Sequence, residues 1–397
     1  MHPDRLDRLA EFPFRRLAAL LEGVSPPEGV ATIDLALGEP KHAPPAILAE
    51  TVAANAGLWN RYPPVNGTAE YRAAVAGWLE RRFGLSGGSL RPDRHVLPLA
   101  GTKEGLYMLA ASAVPETVRG RRPAVLMPSP VYAVYYGAAV MAGAEPVLLP
   151  ATRETGFLPD LAAVPKDVLE RTALAYLCTP ANPQGAIADE AYLDRAVGLA
   201  REHGFLLAVD ECYSEIYDRE PPPGALAAAL RRGGDLTNVV VLHSLSKRSS
   251  AAGLRSGFVA GDPDVLARFL RLRAYAAAVQ PLPLIAAATE LWKDEVHVQA
   301  NRERYRAKFD AAERALSGRL GFYRPQGGFF LWLEVGEGEA ACLRLWREAG
   351  IRVLPGGYLS VGDGQANPGR GYVRVALVDE PAVLEPALER LATVLAA

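Results

Sequence analysis

Lys247 lies in the run Ser244-Leu-Ser246-Lys247-Arg248, directly after the apolar stretch Val239–His243, and Arg255 follows eight residues later. A lysine at the end of a buried strand can form a Schiff base with an aldehyde, more readily where its surroundings lower its pKa. The flanking Ser244, Ser246 and Arg255 suit a phosphate held by charge-assisted hydrogen bonds. The combination points to a carbonyl cofactor that also carries an anion. Asp210 ends a second apolar run, Phe205–Val209, with Tyr213 three residues on, and a third run ends in Thr179-Pro-Ala-Asn182-Pro-Gln-Gly185. Gly101-Thr102-Lys103-Glu104-Gly105 opens a helix, where free backbone N–H groups can receive a phosphate. Singly, each fragment also reads as a solvated loop, a capped turn or a tight turn. Four of them in this order, each at a strand end or a helix start, point to one site.

Six apolar runs supply the elements that would position these groups: Ala124–Met127, Glu145–Leu149, Ala173–Cys178, Phe205–Val209, Val239–His243 and Gly257–Ala260. Helical patterns such as Val131–Ala142 and Asp189–His203 separate them. Continuous apolar strands spaced by helices predict a mostly parallel sheet covered on both faces, with ligands at the carboxyl ends of its strands. The last third predicts long helices over Asp262–Tyr275 and Leu284–Leu316, and strands near Gly321–Arg324, Phe329–Val335 and Tyr372–Leu377. Helices near Glu339–Ala349 and up to Leu395 complete a smaller α+β unit. The expected division is an arm and part of the small unit over 1–45, a large cofactor-binding domain over 46–283, and a small domain over 284–397, broken near Pro281-Leu-Pro283.

The chain resembles the fold-type I pyridoxal-phosphate enzymes, specifically class I/II aminotransferases, through its lysine segment, Asp210-x-x-Tyr213 and Asn182-Pro-x-Gly185. The resemblance implies a large domain with a mostly parallel seven-stranded sheet plus a smaller α+β domain, and pyridoxal 5'-phosphate as cofactor. It makes Lys247 the residue bonded to the cofactor, Asp210 the partner of the pyridine nitrogen, and Tyr213 and Asn182 donors to the phenolic oxygen. Gly101, Thr102, Lys103, Ser244, Ser246 and Arg255 would surround the phosphate, and Tyr132 would stack on the ring. Tyr62, in Arg61-Tyr62-Pro-Pro-x-x-Gly67, would reach the phosphate from a second subunit, which implies a homodimer with shared active sites. Arg374 would clamp the substrate carboxylate, with Gly38 in the loop facing it, while Phe329 is a further candidate for substrate contact.

The physical chemistry agrees with these roles. An acid beside the ring favours the protonated pyridine, and Arg374 offers a planar fork that fits a carboxylate bidentately. The Leu35–His42 and Ser244–Ser249 segments look like the N-succinyldiaminopimelate aminotransferases of lysine synthesis, implying that substrate with 2-oxoglutarate and glutamate as partners. Lys41, Arg61, Arg248, Arg271 and Arg273 are candidates for its extra carboxylates. A broad aspartate or aromatic aminotransferase is an alternative, and so is a carbon–sulfur β-lyase on the same frame.

Composition narrows the classes further. The 397 residues carry 43 basic and 45 acidic side chains, a formal net charge of -2, without the basic excess expected of a nucleic-acid or membrane-surface binder. Three distant cysteines give neither a disulfide framework nor a CxxC site, and the six histidines show no metal-ligand spacing. No unbroken apolar run spans a membrane and no secretory signal opens the chain, so a cytoplasmic location is expected. An arm of about 40 residues is too short for the winged-helix unit of an aminotransferase-like regulator.

Overall fold

The computed structural model describes residues 4–276, 278–362 and 367–396. A seven-stranded sheet runs through the larger part, from β2 (Val96–Leu99), β3 (Ala124–Ser129), β4 (Glu145–Pro150), β5 (Thr172–Cys178), β6 (Leu206–Asp210), β7 (Val239–Ser244) and β8 (Gly257–Gly261). Its spatial order is β2-β8-β7-β6-β5-β3-β4. The strands from β7 to β4 pair in parallel, while β8 is antiparallel to both β7 and β2. β5, β6 and β7 are buried along their whole length, as expected of strands covered on both faces.

β2 is the strand that apolar patterning alone overlooked. Pro98 interrupts it, and proline is tolerated there because β2 lies at the sheet edge.

Helices α2 (Ala46–Ala54), α3 (Ala69–Phe83), α4 (Pro92–His95), α5 (Thr102–Ala113), α6 (Ala133–Met141) and α7 (Lys166–Leu169) belong to this larger part. So do α8 (Glu190–His203), α9 (Ala225–Gly233), α10 (Leu245–Arg248), α11 (Pro263–Ala276) and α12 (Leu282–Lys293). α8 shows how local sequence sets the ends: the Asp189 carboxylate accepts from the Tyr192 N–H, and Gly204 closes the helix at φ 74°.

The smaller part contains α1 (Pro13–Leu20), β1 (Ile33–Asp34), α13 (Val296–Leu316), β9 (Phe330–Glu334), α14 (Gly338–Ala349), β10 (Ile351–Arg352), β11 (Leu354–Pro355), β12 (Tyr372–Ala376) and α15 (Pro381–Ala396). β11-β12-β9 form an antiparallel sheet, and β1 pairs in parallel with β10. Leu17, Leu35 and Ala36 of the N-terminal segment share a core with α13, α14 and α15.

Two expected elements are corrected, the helix over Leu284–Leu316 and the strand near Gly321–Arg324. The helix expected over Leu284–Leu316 is two helices, because the Asp294 carboxylate takes the backbone N–H groups of Val296 and His297 and starts α13 afresh. Ile285, Ala288, Leu291 and Trp292 of α12 pack in the same core as Trp78 of α3. The strand expected near Gly321–Arg324 is not formed. Tyr323 and Arg324 reach across to the Gln184 carbonyl and the Asp218 carboxylate instead of entering a ladder.

Candidate active site

Parallel pairing brings the predicted residues together. In the register of β5, β6 and β7, Cys178 stands beside Asp210 and Asp210 beside Leu242, so the segments carrying Asn182, Asp210, Tyr213 and Ser244–Lys247 leave the sheet at one edge. They line a cavity of about 340 Å³. Thr102, Lys103, Tyr132, Arg255, Gly38 and Arg374 line it as well, so residues from both parts of the molecule face one another. Open α/β sheets place ligands at this edge.

The Lys247 amine donates to the Gly38 carbonyl at 2.9 Å. Burial is the main force drawing its pKa from 10.5 down to about 8, and the charges of Arg374 and Arg255 add to the effect. The Asp210 carboxylate accepts from the Tyr135 hydroxyl at 2.6 Å and from the Cys212 backbone N–H at 3.2 Å. Tyr213 is buried, which raises its hydroxyl well above the ordinary tyrosine value, so it enters the site as a neutral donor. Arg374 is buried and points one nitrogen at Asn182 Oδ1 (3.3 Å) and another at the Ala36 carbonyl (2.9 Å). Its guanidinium lies 4.3 Å from the centre of the Phe330 ring, and its buried Nε has no partner among the described residues. Burial lowers its pKa to about 10, which leaves it cationic at neutral pH.

Ser244, Ser246, Thr102 and Arg255 put three hydroxyls and one guanidinium on the cavity wall, groups that suit an anion. Arg255 holds a left-handed backbone (φ 52°), uncommon for a residue with a side chain and concentrated at ligand sites. Gly101 does not line the cavity but makes this arrangement possible. Its φ is 86°, and a β-carbon there would overlap the Arg255 guanidinium. A buried amine of lowered pKa, a carboxylate at the neighbouring strand end and a cluster of hydroxyls with one guanidinium together fit an aldehyde cofactor bearing a basic ring nitrogen and a phosphate.

Some expected residues are elsewhere. Tyr62 is fully exposed and outside the cavity of the single chain. Of the five basic candidates for distal carboxylates, none lines the cavity. Lys41 pairs with Asp379 at 2.7 Å, and Arg248 is buried against the Leu291 carbonyl and Glu295. Arg273 is turned to the Pro98 carbonyl and Glu104. Phe329 is fully buried and stacks on Tyr305, while its neighbour Phe330 lines the cavity. Strand alternation demands that adjacent residues face opposite ways, and the pair Phe329-Phe330 does not say which faces in. Tyr135, Cys178, Cys212 and Phe14 also line the site and were not anticipated. The signal for Tyr135 was its place one helical turn beyond Tyr132.

The profile of the family described as aminotransferase class I and II matches residues 30–391, and the chain belongs to that family. It is a pyridoxal-phosphate-dependent aminotransferase, acting between amino acids and 2-oxo acids. An LL-diaminopimelate aminotransferase of Desulforudis audaxviator is 34% identical, with 98% of this chain and 96% of that protein aligned. The 4-dedimethylamino-4-oxo-anhydrotetracycline transaminase OxyQ of Streptomyces rimosus is 33% identical over 96% of this chain and 99% of its own length. Among solved structures, an aminotransferase from Neisseria meningitidis superposes with a TM-score of 0.93 at 36% identity, covering 98% of this chain and 99% of its own. A probable N-succinyldiaminopimelate aminotransferase from Thermus thermophilus gives 0.83 at 30% identity, covering 96% and 97%. Among the described residues no helix is long and apolar enough to cross a membrane.

Proposed function

We propose that Lys247, Asp210, Tyr213 and Arg374 carry the transamination, and that the amino-acid substrate is LL-diaminopimelate, with 2-oxoglutarate and glutamate as the other pair. The observation that carries the reading is the cavity where the Lys247 amine, the Asp210 carboxylate and the Arg374 guanidinium meet. When bound, pyridoxal phosphate supplies an electron sink for the carbanion formed at the substrate Cα. Asp210, oriented by the Tyr135 hydroxyl and the Cys212 N–H, would be the carboxylate that partners the ring nitrogen. Tyr213 and Asn182 would hold the phenolic oxygen, Tyr132 would pack on the ring, and Thr102, Lys103, Ser244, Ser246 and Arg255 would take the phosphate, since all of them line the cavity. Arg374 takes the α-carboxylate, its bonds to Asn182 and Ala36 setting the plane of the fork. Lys247, whose amine is neutral above about pH 8, would act as the base that takes and returns the substrate Cα proton.

The LL-diaminopimelate assignment is supported by the names of several relatives, including proteins of Syntrophobacter fumaroxidans at 32% and Aquifex aeolicus at 33% identity. The Thermus structure favours N-succinyl-LL-diaminopimelate as the second reading. Initial rates with LL-diaminopimelate, its N-succinyl derivative, aspartate and phenylalanine, each with 2-oxoglutarate, decide between them. A kcat/KM for LL-diaminopimelate at least tenfold above the others is expected. Preference for aspartate or phenylalanine overturns the assignment. Lys247→Ala should abolish both turnover and the visible band of the bound cofactor, and retention of either removes Lys247 from its role.

Tyr62 is assigned to the phosphate of the opposite site in a homodimer. Its full exposure in the single chain supports this.

A further inference from the structure

Outside the cavity, the turn that carries Lys247 is gripped from behind by a polar cluster that the chemistry above does not use. α10 spans Leu245–Arg248, and the carbonyls of its last residues have no acceptor role within so short a helix. Asn301, buried on α13, donates from Nδ2 to the Lys247 carbonyl at 3.2 Å and to the Arg248 carbonyl at 3.3 Å. Its Oδ1 meets His42 Nδ1 at 2.9 Å and the Ser250 hydroxyl at 3.3 Å. Both N–H groups and both lone pairs of the amide are therefore used. A flipped amide would set its oxygen against two carbonyl oxygens, so the orientation is determined by the network. The His42 proton accordingly sits on Nδ1.

His42 belongs to the segment that begins at Gly38, whose carbonyl receives the Lys247 amine. The imidazole is 5% exposed and packs on Tyr305 with ring centres 5.0 Å apart. The preceding residue, Lys41, is tied to Asp379. Asn301 thus joins the backbone of Lys247 to the far end of the segment that its amine touches.

We propose that Asn301 and His42 are positioning residues for Lys247, holding the lysine turn and the Gly38–His42 segment in one relative placement. The inference rests on Lys247 as the cofactor-bonded residue. Displacement of a reacting group by about 1 Å can cost on the order of a hundredfold in rate. Loosening this clamp acts on the lysine without touching substrate, so it should lower kcat and leave KM for the amino acid nearly unchanged.

Three variants of the holoenzyme test it. His42→Phe keeps the ring packing on Tyr305 and loses the donor, His42→Gln keeps a donor, and Asn301→Asp keeps the shape but replaces the two N–H groups by oxygen. The readouts are kcat and KM, visible circular dichroism of the bound cofactor, and thermal unfolding. His42→Phe and Asn301→Asp are expected to lower kcat about tenfold or more at native KM and to alter the dichroic band. His42→Gln should recover most of both. Native kcat and native dichroism in His42→Phe and Asn301→Asp overturn the proposal. So does a loss that follows the melting temperature alone, with native dichroism in the folded fraction. Lys247→Ala separates the two levels: retention of the visible band there removes the underlying role of the lysine, whereas its loss beside native His42→Phe and Asn301→Asp removes only the clamp.

Discussion

Lys247 is a base whose neutral form the pocket favours. Attack on an aldehyde needs that form, so capture of pyridoxal phosphate by the apoprotein should accelerate with pH up to about 8 and level off above it. An exposed lysine would keep accelerating to about pH 10.4. Rapid-mixing absorbance across this range reads the midpoint, and a midpoint near the ordinary lysine value contradicts the burial argument. The residues assigned the chemistry were legible because each ends or closely follows an apolar run: Asp210, Asn182 and Lys247 announce themselves by position as well as type. Residues that enter the site through packing were not. Tyr135 reads as one more aromatic in an apolar stretch until the fold brings its hydroxyl to Asp210. Arg248 and Arg273, expected to meet extra substrate carboxylates, are instead each buried against the protein's own backbone carbonyl and carboxylate groups.

At the scale of elements, the loop after β6 is clamped as firmly as the lysine turn. Glu215, 3% exposed, bonds Arg82 of α3 at 2.6 Å and Arg302 of α13 at 2.9 Å. The same arginines reach the backbone carbonyls of Ser214 and Glu215, adjoining Tyr213. Removing one partner of a buried ionic triad leaves charge unpaired, at a cost of about 3–5 kcal/mol. Glu215→Ala should therefore lower the melting temperature of the apoprotein by several degrees, with Glu215→Gln intermediate. Differential scanning calorimetry checks it, and an unchanged transition in Glu215→Ala would rule out the clamp. Sequence periodicity gave no hint of this triad, because its members lie on separate elements. Nor did periodicity show the break between α12 and α13, where a single Asp294 carboxylate outweighs continuous helical patterning.

On the scale of the whole molecule, the sheet and its flanking helices follow from the alternation of apolar runs and helical segments, and the register of β5, β6 and β7 then assembles the site. The placement of Tyr62 is a question for the assembly. If two chains share their sites, a protein lacking Tyr62 and a protein lacking Lys247 can complement each other, since one site of the mixed dimer has both residues. Co-refolded Tyr62→Ala and Lys247→Ala chains should show more activity than either alone. No gain on mixing, with dimers present by sedimentation, would mean that Tyr62 serves no neighbouring site.

β8 runs antiparallel to β7, with Ser244 opposite Gly257, and the Leu245 N–H bonds the Ser256 carbonyl. The whole excursion from 245 to 256, with the Lys247 amine and the Arg255 guanidinium inside it, is thus closed at its base by one rung of the ladder. Such a segment is a cassette. Exchange with the matching stretch of a relative should leave β7 and β8 in place only where that stretch keeps Arg248 and Ser249, whose side chains tie it to α12 and α13.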